Sequence, residues 1–362
     1  MSNGKATVIS IQSGKPTVLW GKPGTGKSSF VRSLGVALNL PVETIIASIR
    51  EPSDFAGLPI ITKNDDVRLA PPAWARRLAD SGRGILFLDE LSTAPPAVQS
   101  ALLRVVLERV VGDIVIPDDV WIVAAANPTD TSSGTWSLSA ALANRFVHVN
   151  WDLSTKAWVE GMLNGWSTSN DVSLLPENWK ETISHTTSMV ASFIQARPAL
   201  LLREPDNAEE SGGAWPSPRT WDMATHLIAA ARSAGAAPDI ILELMVGCVG
   251  KGAAVEYMTW EKELDLPDPE GLLARPDSLK LPKRQDQIFA IASSVVAAAK
   301  SDLTNKRWLA AWKILATVAE KGHADIAAIP AKTLAKSRTE KLTLPQDVKE
   351  FLPVLTAAGL IK

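Results

Sequence analysis

The run Gly21-Lys22-Pro23-Gly24-Thr25-Gly26-Lys27-Ser28 places three glycines, an ammonium and a hydroxyl in eight consecutive positions. A nucleotide's phosphates need several backbone N–H donors converging on one point, and a Gly-rich turn feeding a helix N-terminus supplies them. Gly21, Gly24 and Gly26 allow the tight path, Lys27 can reach the β- and γ-phosphates, and Ser28 offers a hydroxyl to Mg²⁺. Lys22, Pro23, Thr25 and the following Ser29 complete the expected phosphate-contacting set.

A second signal is the apolar strand Ile85-Leu86-Phe87-Leu88 closing on Asp89-Glu90. Beside a phosphate-binding loop, the first acid would hold Mg²⁺ together with Ser28, and the second would polarise the water that attacks the γ-phosphate. Taken alone, Asp-Glu at a strand end is an ordinary solvated turn; the loop at 21–28 gives it a chemical use. Glu90 separates a hydrolase from a small-molecule phosphotransferase, which needs no water activator. The run Val120–Ala126 ends on Asn127-Pro128. There Asn127 is either a turn former or a group that orients the attacking water.

The elements that must carry these residues follow from the pattern. Apolar runs at Thr17–Trp20, Val42–Ser48, Ile85–Leu88, Val120–Ala125 and Phe146–Asn150 alternate with helical stretches, as in an α/β domain with a parallel sheet. After Trp151 the chain turns Ala- and Leu-rich with helical periodicity. Arg203–Pro218 is a polar, Gly- and Pro-rich loop between helices, Leu264–Arg284 is a loop of alternating acids and prolines, and Ser217-Pro218 is a helix start that places Arg219 in the opening turn. Val110–Asp118, with a Gly-Asp turn between β-branched residues, reads as a hairpin. Helices are expected around Ile288–Lys300, Trp308–Lys321 and Asp347–Leu360.

Composition bounds the class. The chain has 362 residues, 46% of them hydrophobic and 21% charged, so it can bury a substantial core. A net charge of -2 lacks the basic footprint of nucleic-acid binding, and no nucleic acid is expected as partner. One cysteine and four scattered histidines give neither a disulfide nor metal-ligand spacing. The sequence shows no signal-like apolar stretch and no membrane span, so a cytoplasmic location is expected. The thirteen tryptophans are expected to serve packing.

Together, GKPGTGKS, LFLDELSTAPPAVQSALLRVVLE (Leu86–Glu108), the strand ending AAANP and LSAALANRF (Leu138–Phe146) resemble the AAA+ ATPases, and in particular their MoxR branch. The resemblance covers residues 14 to 150. It implies a P-loop three-layer αβα domain with a five-stranded parallel sheet, an all-α lid and a helical C-terminal extension, divided at 1–152, 153–235 and 236–362. It implies ATP and Mg²⁺ as ligands and a homo-oligomeric ring, typically a hexamer. Asp89 and Glu90 match the Walker B positions and Asn127 matches sensor 1. Arg145 matches the arginine finger that reaches a neighbour's γ-phosphate, and Arg219 matches sensor 2. Where the family usually shows Asn-Arg after the Walker B acids, this chain has Ser92-Thr93. Glu51–Lys63 resembles the stretch before the branch's helix-2 insertion. By the same resemblance the protein is a chaperone-like remodeller or activator of a protein client, with a von Willebrand factor A domain protein as candidate partner. The alternative is an ATP-operated switch or scaffold with slow turnover.

Overall fold

The apolar runs of the first half form strands because near-continuous β-branched and aliphatic residues can be buried on both faces of a parallel sheet. The computed structural model describes residues 2–128, 134, 136–164, 166 and 174–360. Its strands are β1 Thr17–Trp20, β2 Val42–Ile46, β3 Leu58–Ile61, β4 Val67–Ala70, β5 Gly84–Asp89, β6 Val110–Val111, β7 Ile114–Val115, β8 Val120–Ala126 and β9 Val147–Asn150. Five of them make one parallel sheet in the order β2-β5-β8-β1-β9. Helices flank it, among them Lys27–Ala37, Ala73–Ser81 and Pro96–Glu108, giving the P-loop AAA+ architecture.

Register decides what meets at the sheet edge. Trp20 lies opposite Ala126 and Leu88 opposite Ala124. Gly21, Asp89 and Asn127 therefore leave the sheet side by side at the carboxyl ends of β1, β5 and β8, where open α/β sheets bind ligands.

Several elements differ from the sequence-based expectation. The strand expected over Val42–Ser48 stops at Ile46, and a 3-10 turn over Ala47–Ile49 takes its place, which frees Ser48 for the site. Glu51–Lys63 contributes the first strand of a hairpin, β3 paired antiparallel with β4, whose Leu58, Ile60, Ile61 and Val67 are exposed. The hairpin expected at Val110–Asp118 forms as β6 and β7. The N–H of Asp113 donates to Leu69 O at 3.0 Å, which ties the two hairpins together. An additional helix, Ser2–Gln12, packs on the sheet. It was not legible because the β-branched Thr, Val and Ile favour strands, and burial of Ala6 through Ile11 overrides that propensity.

By contacts the chain forms two compact units, Met1–Trp179 with Leu202–Val255, and Lys180–Leu201 with Glu256–Lys362. The first unit contains the sheet and the helix Pro218–Ser233. That helix starts as expected: the Ser217 hydroxyl accepts the Thr220 N–H, the Thr220 hydroxyl accepts the Ser217 N–H, and Pro218 takes the first helical position. The second unit is all-α, with helices Ile183–Ala196, Gln285–Ser301, Asn305–Val318 and Ala324–Lys336. Its centre is Trp308 and Trp312, both fully buried and edge-on to each other at 5.7 Å. The helix expected to run to Lys321 gives way at Ala319–His323 to a π-helical stretch broken at Gly322, and the chain then continues in the unexpected helix Ala324–Lys336. Asp347–Leu360 divides into a 3-10 segment, Gln346–Phe351, and a short helix, Leu352–Ala357. Seven tryptophans are buried, in line with a packing role, whereas Trp136, Trp158 and Trp166 are about half exposed. Among the described residues no helix is long and apolar enough to cross a membrane.

Candidate active site

The loop between β1 and the helix Lys27–Ala37 owes its shape to glycine. A Cβ on Gly21 would sit 2.4 Å from the carbonyl oxygen of Trp151, so the turn passes under that strand exit only without a side chain. Gly24 and Gly26 have φ of 78° and 87°, in the left-handed region, and Gly26 is the helix N-cap. Trp151 clamps the loop from outside: its indole N–H donates to Thr25 O at 3.0 Å, and its ring packs on Phe30 at 4.5 Å. Lys22, Pro23, Gly24, Gly26 and Ser29 are exposed, Thr25 and Ser28 are half-buried, and Lys27 is buried.

The Lys27 ammonium donates to Gly21 O, to Lys22 O at 3.1 Å and to Asn127 Oδ1 at 3.0 Å. Burial pushes its pKa down, partly offset by the charge of Asp89. A partly desolvated cation held by neutral oxygens has more to gain from a phosphate oxygen than a solvated one. Because lysine only donates, Asn127 must turn its carbonyl oxygen towards it, leaving its amide N–H₂ as a donor for another partner. Asn127 and the loop thus meet directly.

On β5, the Asp89 carboxylate accepts the Ser28 hydroxyl at 2.7 Å and the Glu90 N–H at 3.0 Å. Ser28 and Asp89 are hard oxygen donors in mutual contact, a pair whose chemistry fits Mg²⁺. Glu90 is exposed, and its backbone is left-handed at φ 56°, an uncommon conformation for a residue with a side chain. Ser48 donates to Glu90 Oε2 at 2.5 Å. The Thr93 hydroxyl donates to Glu90 O at 2.8 Å, and Asn127 N–H donates to Ser92 Oγ at 2.9 Å. The departure at Ser92-Thr93 therefore has a use here: the two hydroxyls brace the backbone of the Asn127 and Glu90 positions. Sequence reasoning missed Ser48, Ser92, Thr93 and Trp151, since a lone hydroxyl or tryptophan carries no motif.

Residues 16–146 match the family model of the AAA domain, dynein-related subfamily. This region is similar to the AAA domains of the AAA+ superfamily. The AAA match contains the loop, Asp89, Glu90, Asn127 and Arg145, and ends before Trp151 and Arg219. Among solved structures, a putative ATPase from Cytophaga hutchinsonii is similar at 20% identity and a TM-score of 0.45, covering 72% of this chain and 88% of that one. A full-length MCM homolog from Methanopyrus kandleri matches at 16% identity and a TM-score of 0.38, over 68% and 56% of the two chains. NtrX from Brucella abortus matches at 14% identity and a TM-score of 0.29, over 91% and 67%. No curated protein matches.

Arg145 and Arg219 stand apart from the loop in their bonding. Arg145 follows the short helix Ala140–Ala143, is half-buried, and donates from Nη1 to Ala141 O. Its Nε is buried and finds no acceptor among the described residues. Burial, and then the nearby charge of Arg219, lower its pKa. Arg219 is exposed and donates to Asn144 Oδ1 at 3.2 Å. The structure thus sets two hydrogen-bonded pairs, Lys27–Asn127 and Ser28–Asp89, at one sheet edge with Glu90 beside them, and brings Arg145 and Arg219 near each other.

Proposed function

We propose that this chain is an ATPase, converting ATP and water to ADP and phosphate with Mg²⁺, that works as a homo-oligomeric ring, typically a hexamer, to remodel or activate a protein client. The observation that carries the reading is the network Lys27–Asn127 and Ser28–Asp89–Glu90 at the carboxyl edge of β1, β5 and β8. Loop N–H groups from Gly21 to Ser29 and the Lys27 ammonium bind the phosphates. Ser28 and Asp89 would hold Mg²⁺, which when bound neutralises charge on the β- and γ-phosphate oxygens. Asn127 orients the attacking water through its amide, and Glu90 accepts that water's proton on its carboxylate once Ser48 lets go of it. Arg145 is offered to the γ-phosphate of an adjacent copy: its partly desolvated guanidinium, unpaired at Nε and bonded otherwise to a backbone carbonyl, faces no carboxylate among the described residues of its own chain. Arg219, at the start of the Pro218–Ser233 helix, reads the nucleotide from the lid.

We assign 1–152 to the nucleotide-binding core, 153–235 to the lid and 236–362 to lid extension or partner docking. The segment Asp89-Glu90-Leu91 with Ala94-Pro95-Pro96 and Gln99-Ser100-Ala101-Leu102-Leu103 supports the MoxR branch. With it comes a von Willebrand factor A domain protein as candidate partner. The single cysteine, Cys248, is free and buried, which suits a reducing, cytoplasmic setting. The Ser48–Glu90 bond favours a second reading, an ATP-operated interaction switch with slow turnover, because a hydrogen bond to Oε2 lowers the basicity of the carboxylate that must take the proton.

Three experiments test this. Glu90→Gln should abolish turnover and leave ATP binding intact; persistent hydrolysis removes Glu90 from its role. Glu90→Gln and Arg145→Ala chains, each inactive alone, should recover hydrolysis when mixed, because some interfaces then pair an intact Glu90 with a neighbour's intact Arg145. A mixture as inactive as its components refutes the shared site. Turnover that rises steeply with a candidate partner supports remodelling; tight nucleotide-dependent partner binding with negligible turnover supports the switch.

A further inference from the structure

Asn144 sits between the two arginines. It is 4% exposed and caps the helix Ala140–Ala143 one residue before Arg145. Its Oδ1 accepts from Ser217 Oγ at 3.0 Å and from Arg219 Nη1 at 3.2 Å. A guanidinium has no acceptor, so the atom facing Arg219 must be the carbonyl oxygen, and the N–H₂ group is turned away. That Nδ2 is buried and has no partner among the described residues. A buried unpaired donor costs about 1–3 kcal/mol, so this carboxamide is a poor choice for stability alone. Its acceptor is what the fold uses.

We propose that Asn144 is a positioning residue for hydrolysis: by accepting from both the N-cap Ser217 and the first-turn Arg219 of the Pro218–Ser233 helix, it keeps the Arg219 guanidinium beside Arg145 and aimed at phosphate. Two like charges repel and, left free, would each turn to solvent. A neutral acceptor gripping one of them, in the residue adjacent to the other, holds both in place without neutralising either. A carboxylate at the same position would pair with the arginines and draw them from phosphate. The proposal rests on the ATPase reading above.

The test is a double-mutant cycle on turnover by the full-length chain at saturating ATP, with thermal unfolding measured in parallel. Arg219→Ala should lower turnover, and Asn144→Ala should lower it about tenfold, the scale of one hydrogen bond to a charged group. The double variant should be no slower than Arg219→Ala, because Asn144 then has nothing left to position. Effects that multiply, or Asn144→Ala turnover at the wild-type level, overturn the proposal. So does wild-type turnover in Arg219→Ala, which also removes Arg219 from its role while leaving the Glu90 test standing. A wild-type chain that never hydrolyses ATP removes the ATPase reading itself, and this proposal with it. Should Asn144→Ala fail to fold, Asn144→Asp carries the test, since it keeps the acceptor for Ser217 and Arg219. Because its carboxylate pairs with the guanidinium and draws it from phosphate, it should retain its melting temperature yet lose turnover by tenfold or more, and full activity in that variant overturns the proposal that a neutral acceptor must hold Arg219.

Discussion

His148 on β9 links the phosphate loop to the arginine segment, and its protonation state should be readable as stability. Its Nδ1 accepts the indole N–H of Trp20 at 2.9 Å, so its Nε2 carries the proton and donates to Ala143 O, also at 2.9 Å. The two rings stack at 6.0 Å with an 8° interplanar angle. Trp20 precedes Gly21, and Ala143 precedes Asn144 and Arg145. Loss of solvation, opposed by the bond to Ala143, pushes the imidazole down from 6.5 to about 4. The folded pKa lies below the unfolded one, so the unfolded state binds more protons between pH 6.5 and 4. Stability is therefore fully present above pH 6.5 and falls as the pH drops towards 4. With these two values, linkage gives a loss of about 2 kcal/mol between pH 7 and pH 5. A second proton would also set an N–H against the Trp20 N–H, so the bond that positions the loop is lost with it. The assay is urea unfolding followed by tryptophan fluorescence at pH 7, 6 and 5, comparing wild type with His148→Gln. The difference between the two should shrink by about 2 kcal/mol over that range. Parallel pH profiles, or an imidazole C–H resonance for His148 titrating near 6.5, would refute the reasoning.

Three further outcomes follow from particular contacts. Gly21→Ala places a methyl 2.4 Å from Trp151 O and should abolish ATP binding, measured with a fluorescent nucleotide, together with a lowered melting temperature; unchanged affinity would show that the loop tolerates the shift. Ser48→Ala frees the Glu90 carboxylate and should raise basal turnover by up to about tenfold, the worth of a hydrogen bond to a charge; a fall would mean that Ser48 holds Glu90 in its working position. Trp312→Ala in the all-α unit should cost about 3–5 kcal/mol in denaturant unfolding, since its ring is fully buried against Trp308 and Phe351; a loss below about 1 kcal/mol would mean that the site collapses around the cavity.

The sequence by itself determined the loop, the order of the five parallel strands along the chain and the helical second half. These depend on local chemistry: glycines where φ must be positive, apolar runs where a strand is buried on both faces, and Ser-Pro where a helix starts. Asp89, Glu90 and Asn127 were legible because each closes an apolar strand. Tertiary structure alone decided what those residues bond to. Ser48 lies 42 positions from Glu90, and Lys27 lies 100 positions from Asn127. No local pattern reports such distances, because sheet register sets them. The same reason hid the Ser2–Gln12 helix and the helix Ala324–Lys336, whose stability comes from the surfaces they cover, and Asn144, whose type acquires meaning only when Arg219 arrives from 75 residues away.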